Sequence, residues 1–345
     1  MKNELNGDWP RYGIEEVNLD CQMRCPGCYA MSSISRDIAR VAKPLRRAIA
    51  NLDLCKDARG GKELESMDIL GGEPLFWPDL QPYIEELLSR CISPWVFTNM
   101  LAITPKMANW LKERGVSITG KLNIDPTKPF QYDLQGRMVG LNGNVVKKMV
   151  EAIRIFQEAG YDSKLFSLEN LLRAENIEFV PGFYRWCLEN NIKPDIEMLG
   201  SKCGFDETYW GLAASPQQVA DMIRKLQVVR ADMGLSSQEV LMPHIFNQCK
   251  FFDNGLFFAL DGGIRSCSNS ATTLANVEDT DPIRKAFESE LISNRCSLSQ
   301  ENIGEPCNTC SQWDLGCRGG CRATVEGDGN PFAGYEVCPF PIIDF

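Results

Sequence analysis

The run Cys21-Gln-Met-Arg-Cys25-Pro-Gly-Cys28-Tyr29 sets three thiols at CxxxCxxC spacing. Closely spaced thiolates are soft ligands that can anchor an iron-sulfur cluster, and a cubane held by only three of them keeps one iron free for a ligand that is not protein. The open iron is where chemistry would take place. A zinc knuckle is the alternative, but structural zinc wants four ligands. The next cysteine, Cys55, stands well outside the loop and has no paired partner.

Two further groups have types and spacings suited to chemistry. In Gly71-Gly72-Glu73-Pro74-Leu75, two glycines let the backbone come close to a ligand, and a carboxylate beside them can accept hydrogen bonds from an ammonium group. Farther on, Cys249, Gly262 and Cys267 form CX12GX4C, followed by Cys307-Asn-Thr-Cys310, Cys317, Cys321 and an isolated Cys338. Paired cysteines of this kind also build zinc ribbons, so zinc stays open for this module read alone.

The scaffold that must position these groups is legible in the alternation of short apolar runs with amphipathic segments, the signature of repeated βα units. Strands are expected over Ile14 to Leu19, Met67 to Leu70, Trp95 to Phe97, Ser117 to Leu122, Lys164 to Ser167 and Asp195 to Leu199. Thr104-Pro105 opens a helix carrying Met107, Trp110 and Leu111 and ending at Gly115. Val145, Val146, Met149, Ile153 and Phe156 form an apolar stripe that closes at Gly160. Ser215-Pro216-Gln217-Gln218 is a capping box ahead of Val219, Met222, Ile223 and Leu226. Six units fall short of the eight in a closed barrel, so the expected fold is an α/β partial barrel with the cysteine triplet after its first strand, where loop chemistry belongs. The rhythm stops near residue 236, which divides the chain into a barrel over 1–235 and a cysteine-rich region over 236–345, with a hairpin from Leu256 to Leu260 and Ile264 to Cys267 turned at Asp261-Gly262.

Composition narrows the class. A chain of 345 residues, 44% of them hydrophobic, buries a large core. It has no run of eighteen apolar residues and no signal-peptide pattern, which predicts a soluble, cytoplasmic protein with no membrane partner. An odd count of fifteen cysteines in such a chain fits reduced, metal-holding thiols better than disulfides. A net charge of -10 disfavours nucleic acid as a partner. With a single histidine, His244, a histidine-based acid-base mechanism is not expected.

CxxxCxxC followed by an aromatic position, here Tyr29, and then Gly71-Gly72-Glu73 one βα unit later, resembles the radical S-adenosylmethionine (radical SAM) family. The resemblance implies a partial (β/α)6 barrel in which Cys21, Cys25 and Cys28 ligate a 4Fe-4S cluster. SAM would complete its coordination, and Gly71, Gly72, Glu73 and Pro74 would receive the SAM amino group. Thr98, Asn99, Lys121 and Asn123 stand at strand ends where related enzymes contact the ribose or carboxylate, and Ser167 and Asn170, after the fifth strand, are similar.

The C-terminal cysteines resemble the SPASM extension of that family, CX9-15GX4C, a gap, CX2CX5CX3C, a gap and a last cysteine, with one extra residue between Cys310 and Cys317. By position, Cys307, Cys310, Cys317 and Cys338 would hold a distal auxiliary cluster, and Cys249, Cys267 and Cys321 a proximal one. The fourth proximal place is left to Cys296, to a non-cysteine group or to an open iron.

The implied chemistry is reductive cleavage of SAM and hydrogen abstraction from an unactivated carbon, fed by an external one-electron donor such as flavodoxin or ferredoxin. Cys203, past the sixth strand, is a candidate hydrogen donor to a substrate radical, with core packing as its alternative; Cys55, Cys91 and Cys187 read as packing on helices. The expected substrate is a small natural product or sugar-like molecule, oxidised or epimerised. A ribosomal peptide or a protein is the alternative, and a non-catalytic electron-transfer protein is the reading from another class. About a dozen residues before the first strand leave no room for a separate N-terminal peptide-recognition domain, and Ser268 follows Cys267 where sulfatase-maturing relatives carry an aspartate.

Overall fold

The computed structural model describes residues 9–26, 28, 30, 41–199, 211–237, 249–313, 316–327, 329–335 and 338–342. Strands β1 (Tyr12–Glu16), β2 (Ser66–Leu70), β3 (Ser93–Thr98), β4 (Ser117–Lys121), β5 (Phe166–Leu172) and β6 (Lys193–Met198) pair in parallel, each with its neighbour in sequence. Between them run α1 (Leu45–Ala58), α2 (Leu80–Ser89), α3 (Pro105–Glu113), α4 (Tyr132–Met138), α5 (Val145–Glu158) and α6 (Val180–Glu189), with α7 (Pro216–Asp232) after β6. The fold is the expected α/β partial barrel with a cysteine-rich extension.

The period-2 pattern sorts each strand's side chains. On β2, Met67 and Ile69 face the helices and join the main core with Leu52, Tyr83, Ile84 and Leu87, while Asp68 and Leu70 face the barrel interior. Local signals end the helices where expected. The Thr104 hydroxyl accepts from Met107 N–H, Ser215 and Gln218 form a capping box, and Gly115 and Gly160 take the left-handed conformation past α3 and α5.

Two expectations shift. The fifth strand starts two residues later than the apolar run suggests, because the Asp162 side chain and carbonyl accept from Lys164 and Leu165 N–H and hold that stretch in a turn. Ser167 and Asn170 therefore lie inside β5, not beyond it. Cys91 lies past the end of α2, exposed, with φ of 60°, whereas Cys55 and Cys187 are buried on α1 and α6 as packing residues.

The cysteine-rich region does not stand apart from the barrel. Strand β7 (Gly255–Phe258) pairs in parallel with the free edge of β1 and turns at Gly262 into β8 (Gly263–Arg265), which pairs with β9 (Ala275–Asn276), giving the sheet order β6-β5-β4-β3-β2-β1-β7-β8-β9. The sequence division at 235 thus cuts a continuous sheet. Beyond it come α8 (Pro282–Phe287), α9 (Glu290–Ser297) and α10 (Arg322–Gly327), and a separate small core of Ile303, Trp313, Tyr335, Cys307 and Cys321.

The β1 junction is fixed from beneath by charge. Glu15, fully buried under α1, takes an ion pair from buried Lys43 and hydrogen bonds from Asn51, while Lys43 also donates to the Phe258 carbonyl on β7 at 3.0 Å. Removing one member leaves a buried, uncompensated charge. Lys43→Met is therefore expected to cost about 3–5 kcal/mol of unfolding free energy in a denaturant titration; a loss under about 1 kcal/mol, within the range of exposed pairs, would contradict this role.

Candidate active site

From the carboxyl ends of the strands a cavity of about 560 Å³ runs into the barrel interior, within the roughly 300–1,000 Å³ usual for ligand sites. Cys21, Cys25 and Cys28 line it from the loop after β1. That loop is held at several points. Arg24 N–H donates to the Val139 carbonyl at 2.9 Å, Cys28 N–H to the Cys25 carbonyl at 3.1 Å, and buried Arg173, at the end of β5, donates to the Pro26 carbonyl at 2.6 Å. Met23 N–H and the Asn99 side-chain amide both point at the Cys21 sulfur at 3.4 Å.

The glycine turn after β2 packs on this loop. A Cβ on Gly71 would stand 2.5 Å from the Asn18 carbonyl oxygen, and one on Gly72 would fall on the Asp20 carbonyl. Gly72 N–H donates to the Asn18 carbonyl at 2.7 Å and Glu73 N–H to the Asp20 carbonyl at 2.7 Å. The glycines are thus required by backbone against backbone, and both also line the cavity.

Glu73 does something other than face a ligand. Its carboxylate is fully buried and accepts from Thr98 Oγ1 at 2.6 Å, Asn99 N–H at 2.8 Å and Leu75 N–H at 3.0 Å. Burial pushes the pKa of this carboxyl up to about 7, with the three donors pulling the other way. The group ties the end of β3 to the turn, which sets Thr98 and Asn99 on the cavity wall. Pro74 is buried behind it in a short 3-10 turn.

Of the remaining sequence-derived positions, Lys121 lines the cavity in an ion pair with Glu169, and Asn123 lines it while accepting from Leu171 N–H at 2.9 Å. Ser167 is placed elsewhere, buried and bonded to Thr119 Oγ1 at 2.8 Å. Tyr29, Cys203 and His244 lie outside the described residues.

The other end of the cavity, by the amino ends of β1 and β7, is lined by the cysteine-rich region. Cys249, Cys267 and Cys321 line the same cavity as the N-terminal triplet. Cys267 lies within electrostatic reach of Cys249 and Cys321, and burial pushes its thiol up to about 11. Cys307, Cys310, Cys317 and Cys338 act on one another instead, so the thiols fall into two sets. Cys296 is exposed, and the charges that reach it are those of Asp253 and Arg295.

A cluster would be held by such thiol sets without their sulfurs converging on one atom. Among the described residues no three His, Cys, Asp or Glu side chains converge on one metal position. In a cubane each thiolate binds a different iron, so the ligands surround a volume. Among the buried polar atoms without partners, Arg265 Nε, Ser266 Oγ, Asn308 Oδ1, Arg322 Nε and Tyr335 Oη belong to the cysteine-rich region, and five others lie in the barrel. A polar group held by the C-terminal thiols would give the donors among the first five a partner.

Sequence reasoning missed the charged lining. Lys250, directly after Cys249, pairs with buried Asp68 at 2.8 Å and stacks over the Trp95 and Phe251 rings. Asp195 and Glu197 of β6 face inward beside Glu169, and burial, then those two neighbours, push the Asp195 carboxyl up to about 6. Their inward period on the strands was the available signal.

Residues 17–187 match the family profile described as the radical SAM superfamily. The chain belongs to that superfamily. Its fold is also similar to solved structures of low sequence identity. Streptococcus suis SuiB bound to precursor peptide SuiA superposes with a TM-score of 0.71 at 15% identity, covering 96% of this chain and 76% of that one. His-tagged anSMEcpe with bound AdoMet gives 0.73 at 15%, covering 96% and 91%. Native anSMEcpe with AdoMet and Cp18Cys peptide gives 0.71 at 16%, covering 94% and 93%. A comparison with curated protein sequences gives no match. Membership implies a 4Fe-4S cluster and SAM, and the C-terminal cysteines fit the SPASM pattern. No described helix is long and apolar enough to cross a membrane.

Gly72→Ala tests the loop packing. Its Cβ displaces the Asp20 carbonyl and with it Cys21, so the reconstituted variant is expected to bind less iron while its far-UV circular dichroism stays that of the wild type. Iron content equal to the wild type would contradict this packing.

Proposed function

We propose that the chain is a radical SAM maturase that modifies a peptide or protein substrate. The observation that carries the proposal is the one cavity lined both by the N-terminal triplet, past the carboxyl end of β1, and by Cys249, Cys267 and Cys321. Cys21, Cys25 and Cys28 would hold the cluster that binds SAM, and a pair of auxiliary clusters would sit in the cysteine-rich region. When bound, SAM and its cluster supply the radical that removes hydrogen from an unactivated carbon. The residues of the chain orient and enclose. Gly71, Gly72 and Asn99 present the wall nearest the triplet, Lys121 and Arg173 offer cations to a carboxylate, and Trp95, Phe97 and Phe251 exclude water from the floor.

A peptide is favoured over the small molecule that the sequence alone suggests. The similar folds named above span nearly all of this chain and include structures with bound peptides. The lining also suits one peptide side chain entering the barrel, since it joins an aromatic floor to a wall bearing Glu169, Asp195 and Glu197. The exposure of Cys296 supports a proximal set of three cysteines, its fourth place open or filled by another group.

Anaerobic reconstitution with iron and sulfide, followed by reductant and SAM, is expected to yield 5′-deoxyadenosine, faster when a cognate peptide is added, and none from Cys21→Ala. Iron-loaded wild-type protein that never cleaves SAM would overturn the enzymatic reading. Cleavage stimulated by a small molecule and by no peptide would restore the small-molecule one.

A further inference from the structure

We propose that Arg322 is the shared counter-charge of the two C-terminal thiol sets and holds up the reduction potential of the clusters they bind. The inference rests on the auxiliary-cluster reading above and adds a positioning residue to it. Arg322 follows Cys321 directly and opens α10. Its side chain is 3% exposed and reaches the cavity wall.

Carbonyls fix the guanidinium without neutralising it. Nη1 donates to Gly319 at 3.1 Å and Ala333 at 3.0 Å, and Nη2 donates to Pro331 at 2.6 Å, while Nε has no partner. Among the described residues no carboxylate lies within ion-pair distance of it. Glu326, whose charge also reaches Arg322, is bound bidentately by Arg295 at 2.7 Å through both oxygens. A buried cation in this state is costly unless an anion joins it.

The anions available are on both sides. Cys321 of the proximal set is its chain neighbour, and Cys307 of the distal set shares Gly319 with it. A Cβ built on Gly319 would stand 3.1 Å from Arg322 Nη1 and 3.9 Å from the Cys307 sulfur. Both thiols act electrostatically on the guanidinium. Thiolate-ligated clusters gain one negative charge on reduction, so a fixed cation stabilises the reduced form more than the oxidised one. Arg295, already matched by Glu326, contributes much less net charge.

The test is an EPR-monitored redox titration with iron analysis on the reconstituted full-length wild type, Arg322→Gln and Arg322→Lys. With wild-type iron content, Arg322→Gln is expected to lower the midpoint of at least one auxiliary cluster by about tenfold in the reduction equilibrium, about 59 mV for one electron; Arg322→Lys should stay close to wild type. Full iron with unmoved midpoints in Arg322→Gln overturns the proposal. If Arg322→Gln loses auxiliary iron, Arg322→Lys decides. Iron and midpoints kept by lysine support the charge role, and loss in both variants makes the carbonyl clamp the role and overturns it. A wild type with only about four irons per chain, one cubane, would overturn the auxiliary-cluster reading itself, and the proposal with it.

Discussion

Strand β1 is hydrogen-bonded on both edges, to β2 on one side and β7 on the other, and the rest of the site depends on this double pairing. A parallel strand leaves its loop at one end of the sheet, so β1 delivers the cysteine triplet to the carboxyl end, where β2 delivers the glycine turn. Because β7 runs parallel to β1, its hairpin turns at the carboxyl end, and β8 carries Cys267 back to the amino end of β1, where it meets Cys249 at the other end of the barrel interior. Residues separated by well over two hundred positions thereby line one cavity. The pairing extends below the strand itself, with Arg11 and Tyr12 N–H both donating to the Asn254 carbonyl and the Trp9 indole donating to the Asp253 carbonyl.

Charge is the second constraint. A water-poor chamber that must hold anionic groups needs fixed cations, and the lining supplies Lys250, Arg295, Arg322, Lys121 and Arg173. Most are matched by a carboxylate of the protein, Asp68 for Lys250, Glu326 for Arg295 and Glu169 for Lys121. The matched pairs hold the walls together in the absence of a ligand. Glu73 is the converse case, an acid buried among neutral donors, where three hydrogen bonds in a low-dielectric setting take the place of a counter-ion.

Much of this was legible in the sequence because the signals are local. Short runs of three to six residues located all six barrel strands, and hydroxyl caps and glycines located helix ends. The cysteine spacings separated the N-terminal triplet from the C-terminal module. What escaped depends on contacts distant in sequence. Whether the carboxylate of Glu73 meets a ligand or its own chain is decided by Thr98 and Asn99, which no spacing around residue 73 reveals. The Lys250–Asp68 pair joins positions 182 apart. Lys250 and Arg322 could have been suspected, since each directly follows a cysteine of the proximal set. The start of β5 was misplaced for a local reason, the Asp162 turn, which competes with strand pairing over the same residues.

The central claim is that the N-terminal triplet holds the cluster that meets SAM, in a chamber shared with separate thiol sets. EPR of the reduced, reconstituted protein with and without SAM tests it most directly. The account predicts that SAM shifts the signal of one cluster only, and that Cys21→Ala removes that signal while the others persist. Spectra indifferent to SAM, or loss of every cluster signal together in Cys21→Ala, would contradict it.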